Sequence, residues 1–118
     1  MMLMMSGLDC HRAPLDQRQR LAFSQSLAEE FLRWLHVQPG VEGCVLLSTC
    51  NRTELYVSGS TETPWRLLCR GAGVPEAEME AYFITRCGMD AARHLMEVTC
   101  GLHSQILGED QIITQVRK

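Results

Sequence analysis

Residues 48–54 read Ser48-Thr49-Cys50-Asn51-Arg52-Thr53-Glu54, a short polar knot that holds one thiol and one guanidinium. The apolar run Val45-Leu46-Leu47 leads into it and the strand-like Leu55-Tyr56-Val57 leads out. A cysteine at such a strand junction can meet a ligand without sitting in the core. An arginine two residues further on can grip an anionic group beside it. Cys50 is therefore the best nucleophile candidate in the chain. Taken without wider context, the same thiol is more simply a half-buried structural cysteine, and Arg52 has an alternative partner in Glu54 across the hairpin.

The elements that would position this knot follow from periodicity. Residues 2 to 9 form a short apolar segment that suits a strand, Ala13-Pro14 turns the chain, and a loop carries Arg18 and Arg20. Ser26 and Glu29 have capping-box spacing, and Leu27, Phe31, Trp34 and Leu35 recur at helical intervals, which predicts a helix over about 25–37, stopped by Pro39-Gly40. Strands follow near 43–48 and 53–59, joined at Cys50-Asn51. Pro64 then opens a second helix, over 64–71, that ends at Gly71 or Gly73. Ala81-Tyr82-Phe83-Ile84-Thr85 reads as a fourth strand, with Glu76 to Glu80 able to extend a helix toward it. The order β-α-β-β-α-β predicts an α+β fold, a ferredoxin-like split βαβ sandwich with a four-stranded antiparallel sheet and helices on one face.

C-terminal helices are expected beyond that sandwich. From Asp90, a candidate N-cap, the residues Ala91, Leu95, Val98 and Leu102 form the apolar stripe of a long helix weakened at Gly101 and Gly108. After Gly108, Glu109 and Asp110 open a further helical segment with Ile112, Ile113 and Val116 apolar and Gln111 and Gln115 on one face. No glycine or proline closes that pattern before Lys118, so the expectation is a truncated domain over 1–118.

Bulk composition narrows the class. A chain of 118 residues, 46% hydrophobic and 21% charged, suits one folded domain and is too short for a cofactor domain beside a substrate domain. Five apolar residues precede Ser6-Gly7 without a basic leader, which is no signal peptide, and no stretch approaches the ~20 apolar residues of a membrane helix. The expected location is cytoplasmic, with no membrane partner, and the six cysteines are expected as free thiols. They are scattered and no CxxC occurs, so no metal site is expected. The net charge of −3 argues against a broad nucleic-acid surface, although ten arginines against one lysine leave room for a local RNA contact through Arg12, Arg18, Arg20 or Arg52.

Two segments together, Leu46-Leu47-Ser48-Thr49-Cys50-Asn51-Arg52-Thr53-Glu54-Leu55-Tyr56 and Gly101-Leu102-His103-Ser104-Gln105-Ile106-Leu107-Gly108-Glu109-Asp110-Gln111-Ile112, resemble the glutamyl-tRNA reductase family. Ala13-Pro14, Arg18, Phe23-Ser24 and His94-Leu95 support the resemblance, which runs over essentially the whole chain. It implies the N-terminal catalytic domain of an enzyme that opens tetrapyrrole biosynthesis, with the NADPH-binding and helical dimerisation domains absent from these residues. No G-x-G-x-x-G follows a strand here, so NADPH would be held by a domain outside this chain.

The resemblance also implies roles. The Cys50 thiolate would attack the ester of glutamyl-tRNA to leave a glutamyl thioester, whose reduction yields glutamate-1-semialdehyde. Thr49, Cys50, Asn51 and Arg52 would line the substrate glutamate, with Arg52 facing its carboxylate. Ser104, Glu109, Asp110, Gln111 and Gln115 would complete the pocket, and His94 would give acid or base help near the leaving oxygen. On a straight helix Ser104 would lie about 15 Å along the axis from His94. Either the helix bends near Gly101, or the two residues serve different parts of the substrate. Implied partners are glutamyl-tRNA, a second copy in a homodimer, and glutamate-1-semialdehyde aminomutase.

Three positions depart from the family pattern: Cys10 stands where histidine is common, Cys100 replaces a small residue, and His103 replaces an aspartate beside Ser104. A reading from another class remains, a non-catalytic ferredoxin-like regulatory or RNA-binding module. It predicts an inert Cys50 under mild alkylation.

Overall fold

The structure, a computed structural model, describes residues 2–100 with their side chains and residues 111–116 as backbone. In chain order the elements are β1 (Met2–Asp9), α1 (Leu15–Gln19), α2 (Gln25–His36), β2 (Val41–Ser48), β3 (Arg52–Gly59), α3 (Pro64–Ala72), α4 (Glu76–Met79), β4 (Ile84–Cys87), α5 (Met89–Thr99) and β5 (Gln111–Val116). A single 3-10 turn, Glu80–Tyr82, precedes β4.

The first four strands form the expected split βαβ sheet, ordered β4-β1-β3-β2, and every pairing is antiparallel. Continuous burial marks β3 as the central strand. Its residues Arg52 to Val57 are all buried, which requires cover on both faces. On one face Leu55 and Val57 join Leu8 and Leu46 and pack against Phe31, Leu32 and Leu35 of α2 and Leu68 of α3. On the other face Tyr56 and Met5 meet Ala91 of α5, with Leu3, Val45 and Leu95 around them. The expected helices on one face are thus α2 and α3, while α5 supplies a second layer opposite.

Helix α2 buries Ala28, Phe31, Leu32 and Leu35, a spacing of three and four that gives one apolar face. Its cap is Ser24, whose Oγ accepts from the Leu27 amide at 3.2 Å. The Ser26–Glu29 pairing expected for that role lies two residues too late, because Ser24 is the extended cap residue and Gln25 is already helical. Helix α3 starts with Pro64 at its first position and ends at Gly73, whose φ of 70° is open to a residue without a Cβ.

Other expectations shift at their edges. The stretch with Arg18 and Arg20, read as loop, contains the one-turn helix α1. The fourth strand begins at Ile84 rather than at Ala81, since residues 80–82 are taken by the 3-10 turn. Gly88 is the N-cap of α5 and Asp90 sits in its first turn, where a carboxylate favours the helix dipole. The helix stops at Thr99 with Cys100 as C-cap, so the stripe reaching Leu102 lies partly outside the described residues.

The larger correction concerns residues 111–116. They form β5, an antiparallel fifth strand beside β2, and not a helix. Ile112, Ile113, Thr114 and Val116 are β-branched, which favours a pleated strand over a helix. The four-residue spacing of Gln111 and Gln115, read as one helical face, is equally a strand spacing.

Candidate active site

The hairpin between β2 and β3 carries the nucleophile candidate. Ser48 pairs with Thr53, and the Thr49 amide donates to the Arg52 carbonyl at 2.9 Å, so only Cys50 and Asn51 bulge from the sheet. Two-residue hairpins commonly use positive φ. None of the described non-glycine residues has it. Here the turn is held by a side chain instead: Thr49 Oγ1 accepts from the amides of Asn51 at 3.1 Å and Arg52 at 3.2 Å. Cys50 is exposed at the tip.

Neighbouring polar groups fasten this tip to the rest of the fold. Thr53 Oγ1 donates to the Leu21 carbonyl at 2.9 Å, and the Phe23 amide donates to Ser48 Oγ at 3.4 Å. The segment between α1 and α2 is thereby tied to both strands of the hairpin.

Below the tip, on the face covered by α5, lies a buried polar cluster. Arg52, Glu54 and Tyr56 alternate along β3 and so share that face. Arg52 Nη1 donates to Glu54 Oε2 at 3.1 Å, the Tyr56 hydroxyl donates to Glu54 Oε1 at 2.8 Å, and His94 Nε2 of α5 lies 2.8 Å from Glu54 Oε2. Arg52 is 4% exposed and Glu54 2%. An ion pair so deeply buried persists only with its hydrogen bonds satisfied, which Tyr56 and His94 help to do. Burial, reinforced by the Glu54 carboxylate, pushes the Tyr56 phenol well above its ordinary range and keeps it a donor.

Sequence reasoning singled out Cys50, Arg52 and His94, and the structure brings the last two together through a residue it passed over as a binding group. Arg52 takes the alternative partner weighed for it, Glu54. The alternation of three polar residues inside a strand flanked by apolar ones was the available signal for Glu54 and Tyr56. Thr49 is engaged in shaping the turn. Gln111 is the register partner of Ser48, so the β5 backbone enters the sheet at the Cys50 end, whereas Gln115 pairs with Cys44, four residues or about 13 Å further along. Ser104, Glu109, Asp110 and the departure at His103 lie outside the described residues.

The family model for the glutamyl-tRNA(Glu) reductase N-terminal domain matches residues 6–118. The chain belongs to the N-terminal domain family of glutamyl-tRNA reductase. A glutamyl-tRNA reductase of Acetivibrio thermocellus is 43% identical over 120 residues, covering 99% of this chain and 36% of that protein. A probable multifunctional siroheme biosynthesis protein HemA of Ruminiclostridium josui is 42% identical, covering 95% of this chain and 22% of that protein. Among solved structures, glutamyl-tRNA reductase from Methanopyrus kandleri aligns with a TM-score of 0.58 and 25% identity over 91% of this chain and 24% of that one. The chain thus spans 22% to 36% of the length of these two curated relatives.

The described residues of this glutamyl-tRNA reductase N-terminal domain show no frame for a dinucleotide. Such cofactors bind where parallel strands cross over through a helix and a glycine-rich turn. The sheet here is antiparallel throughout its described pairings, and β1 runs into a turn and a five-residue helix. These residues do not fit NADPH, and no reductive step is derived from them. No helix among the described residues is long and apolar enough to cross a membrane.

Proposed function

We propose that this chain is the catalytic domain of a glutamyl-tRNA reductase and that Cys50 takes the glutamyl group from glutamyl-tRNA as a thioester. The exposed thiol at the two-residue tip between β2 and β3, in a chain of this family, carries the reading. The Cys50 sulfur gives up its proton and attacks the ester carbonyl carbon. The bond from that carbon to the ribose oxygen breaks, and the oxygen leaves with a proton. His94 serves proton transfer near that oxygen. Asn51 and Arg52 on the hairpin, with Ser104, Glu109, Asp110, Gln111 and Gln115, contact the glutamyl group, while Thr49 keeps the tip in shape.

The rest of the activity follows from the resemblance. Reduction of the thioester to glutamate-1-semialdehyde uses NADPH held by a domain outside residues 1–118. The whole protein works in the cytoplasm as a homodimer and passes its aldehyde to an aminomutase.

Incubation of the chain with radiolabelled glutamyl-tRNA should transfer label to Cys50, and Cys50→Ser should abolish the transfer. Label retained on the Cys50→Ser protein would overturn the assignment.

A further inference from the structure

Helix α2 carries two apolar faces, and only one of them serves the core. Ala28, Phe31, Leu32 and Leu35 are buried, whereas Leu27 is 52% exposed and Trp34 half-buried. Leu27, Phe31 and Trp34 follow at i, i+4 and i+7, so they share one side of the helix. That side lines a cavity of about 490 Å³, which Phe23 and the end of α3 at Arg70 and Gly71 help to enclose. The volume is that of a small-molecule site, about 300–1,000 Å³. Aromatic rings form its floor: the Phe31 centroid is 5.2 Å from that of Phe23 and 5.8 Å from that of Trp34. Gly71 weakens α3, yet a Cβ there would overlap the Phe31 ring, so helix propensity is given up to seat that ring.

Polar groups at the rim decide what the floor takes. Arg20 and Arg70 line the cavity, but each already holds a carboxylate, Glu78 at 2.9 Å and Glu62 at 2.8 Å. Free positive charge for a bare phosphate is therefore scarce. Among the described residues Arg70 is engaged through Nη2 alone, and the side chain of Glu30, also in the lining, has no ion pair or hydrogen bond. A carboxylate that only accepts and a guanidinium that only donates, above an aromatic floor, suit the flat face and mixed donor–acceptor edge of a nucleobase. The cavity is also fastened to the hairpin of Cys50. The Phe23 amide donates to Ser48 Oγ, and Ser48 stands two residues, at most about 7 Å of chain, before Cys50.

We propose that this cavity is a nucleobase site that holds an unpaired base of the tRNA 3′ end, CCA, while the ester on the last ribose meets Cys50. The inference rests on the thioester-forming reading above. Phe23 and Trp34 supply the stacking surface, and Glu30 and Arg70 meet the base edge. No bond forms or breaks in the cavity; it binds and orients.

Proton–nitrogen-15 NMR of the chain tests this, with the indole N–H signals of its two tryptophans told apart by the loss of one in Trp34→Phe. The trinucleotide CpCpA should move the Trp34 signal saturably, and a trimer of the same backbone without bases should leave it in place. Equal movement by both would overturn the inference. So would an unmoved signal with CpCpA, above all where the apolar probe anilinonaphthalene sulfonate does move it. Glu30 is exposed, so Glu30→Ala leaves the core alone and should weaken CpCpA about fivefold or more; unchanged affinity would count against the inference. Trp34→Ala should raise the glutamyl-tRNA concentration for half-maximal labelling of Cys50 by about 10-fold or more, the scale of one lost base stack, with a much smaller effect on the rate at saturation. A fall in the saturating rate alone would contradict a binding role. If the wild type takes no label while CpCpA moves Trp34, the thioester reading falls and the base site stands. If label reaches Cys50 and CpCpA leaves Trp34 unmoved, only the base site falls.

Discussion

Gly7 of β1 and Glu54 of β3 are register partners, and the absent side chain of the first makes room for the second. A Cβ at Gly7 would also stand 3.0 Å from Met5 Cε and 3.1 Å from the Thr53 carbonyl oxygen, and the latter is backbone that cannot swing away. Gly7→Ala should therefore destabilise the fold by about 1–3 kcal/mol, the usual cost of overpacking. It should also slow Cys50 acylation, because Glu54 must shift. Urea unfolding and label transfer, measured together, check this, and wild-type values in both would contradict the packing described.

Thr49 predicts a separation between shape and chemistry. Its hydroxyl holds two amides of the hairpin turn. Thr49→Val keeps the bulk and removes both bonds, with an expected loss of about 1–2 kcal/mol. Thr49→Ser keeps the oxygen and should recover most of that stability. Equal urea midpoints for the two variants would show that the hydroxyl does not hold the turn.

The cysteines should divide by accessibility. Cys50, Cys87 and Cys100 are exposed, while Cys44 and Cys69 are buried. Burial, with the nearby Glu76 charge, pushes the Cys69 thiol up to about 11 against a slight opposing effect of Arg20. Mild iodoacetamide treatment followed by peptide mass spectrometry should mark Cys50 and spare Cys44 and Cys69 until denaturant is added. Labelling of Cys69 as fast as Cys50 in the folded chain would refute the burial.

Alkaline stability carries the same signature. The folded state keeps the Cys69 proton up to about 11, whereas the free thiol gives it up near 9.0. The folded protein therefore binds more protons than the unfolded one in that window, and stability falls as pH rises. The contribution is fully present below about 9 and is lost as pH climbs through about 11. The Tyr56 phenol, raised from 10.0, adds to the decline at the upper end. Cys69→Ala should flatten the fall in urea midpoint over this range, and an unchanged slope would count against it.

The sheet was legible because its signals were local. The apolar run Val45-Leu46-Leu47 in β2, Leu55-Tyr56-Val57 in β3, the apolar spacing of Phe31 and Leu35 in α2 and Pro64 at the start of α3 each mark one element with one rule. Residues 111–116 were harder, since their glutamine spacing fits both periods and only the β-branched run argued for a strand. In the candidate site, Cys50 stood out by chemistry and placement. The part played by Glu54 did not, because His94 is 40 residues away in sequence and only the packing of α5 on the far face joins them. Gly7 was equally silent, as a glycine in a strand announces a close approach without naming what approaches.

The middle strand of the sheet, β3, is flanked by β1 and β2 at its edges and by helices above and below. A thiol mounted on the end of so constrained a strand is like a tool bolted to a bench. Under the thioester reading proposed above, the backbone that carries Cys50 is ordered during folding and is not ordered again at each turnover.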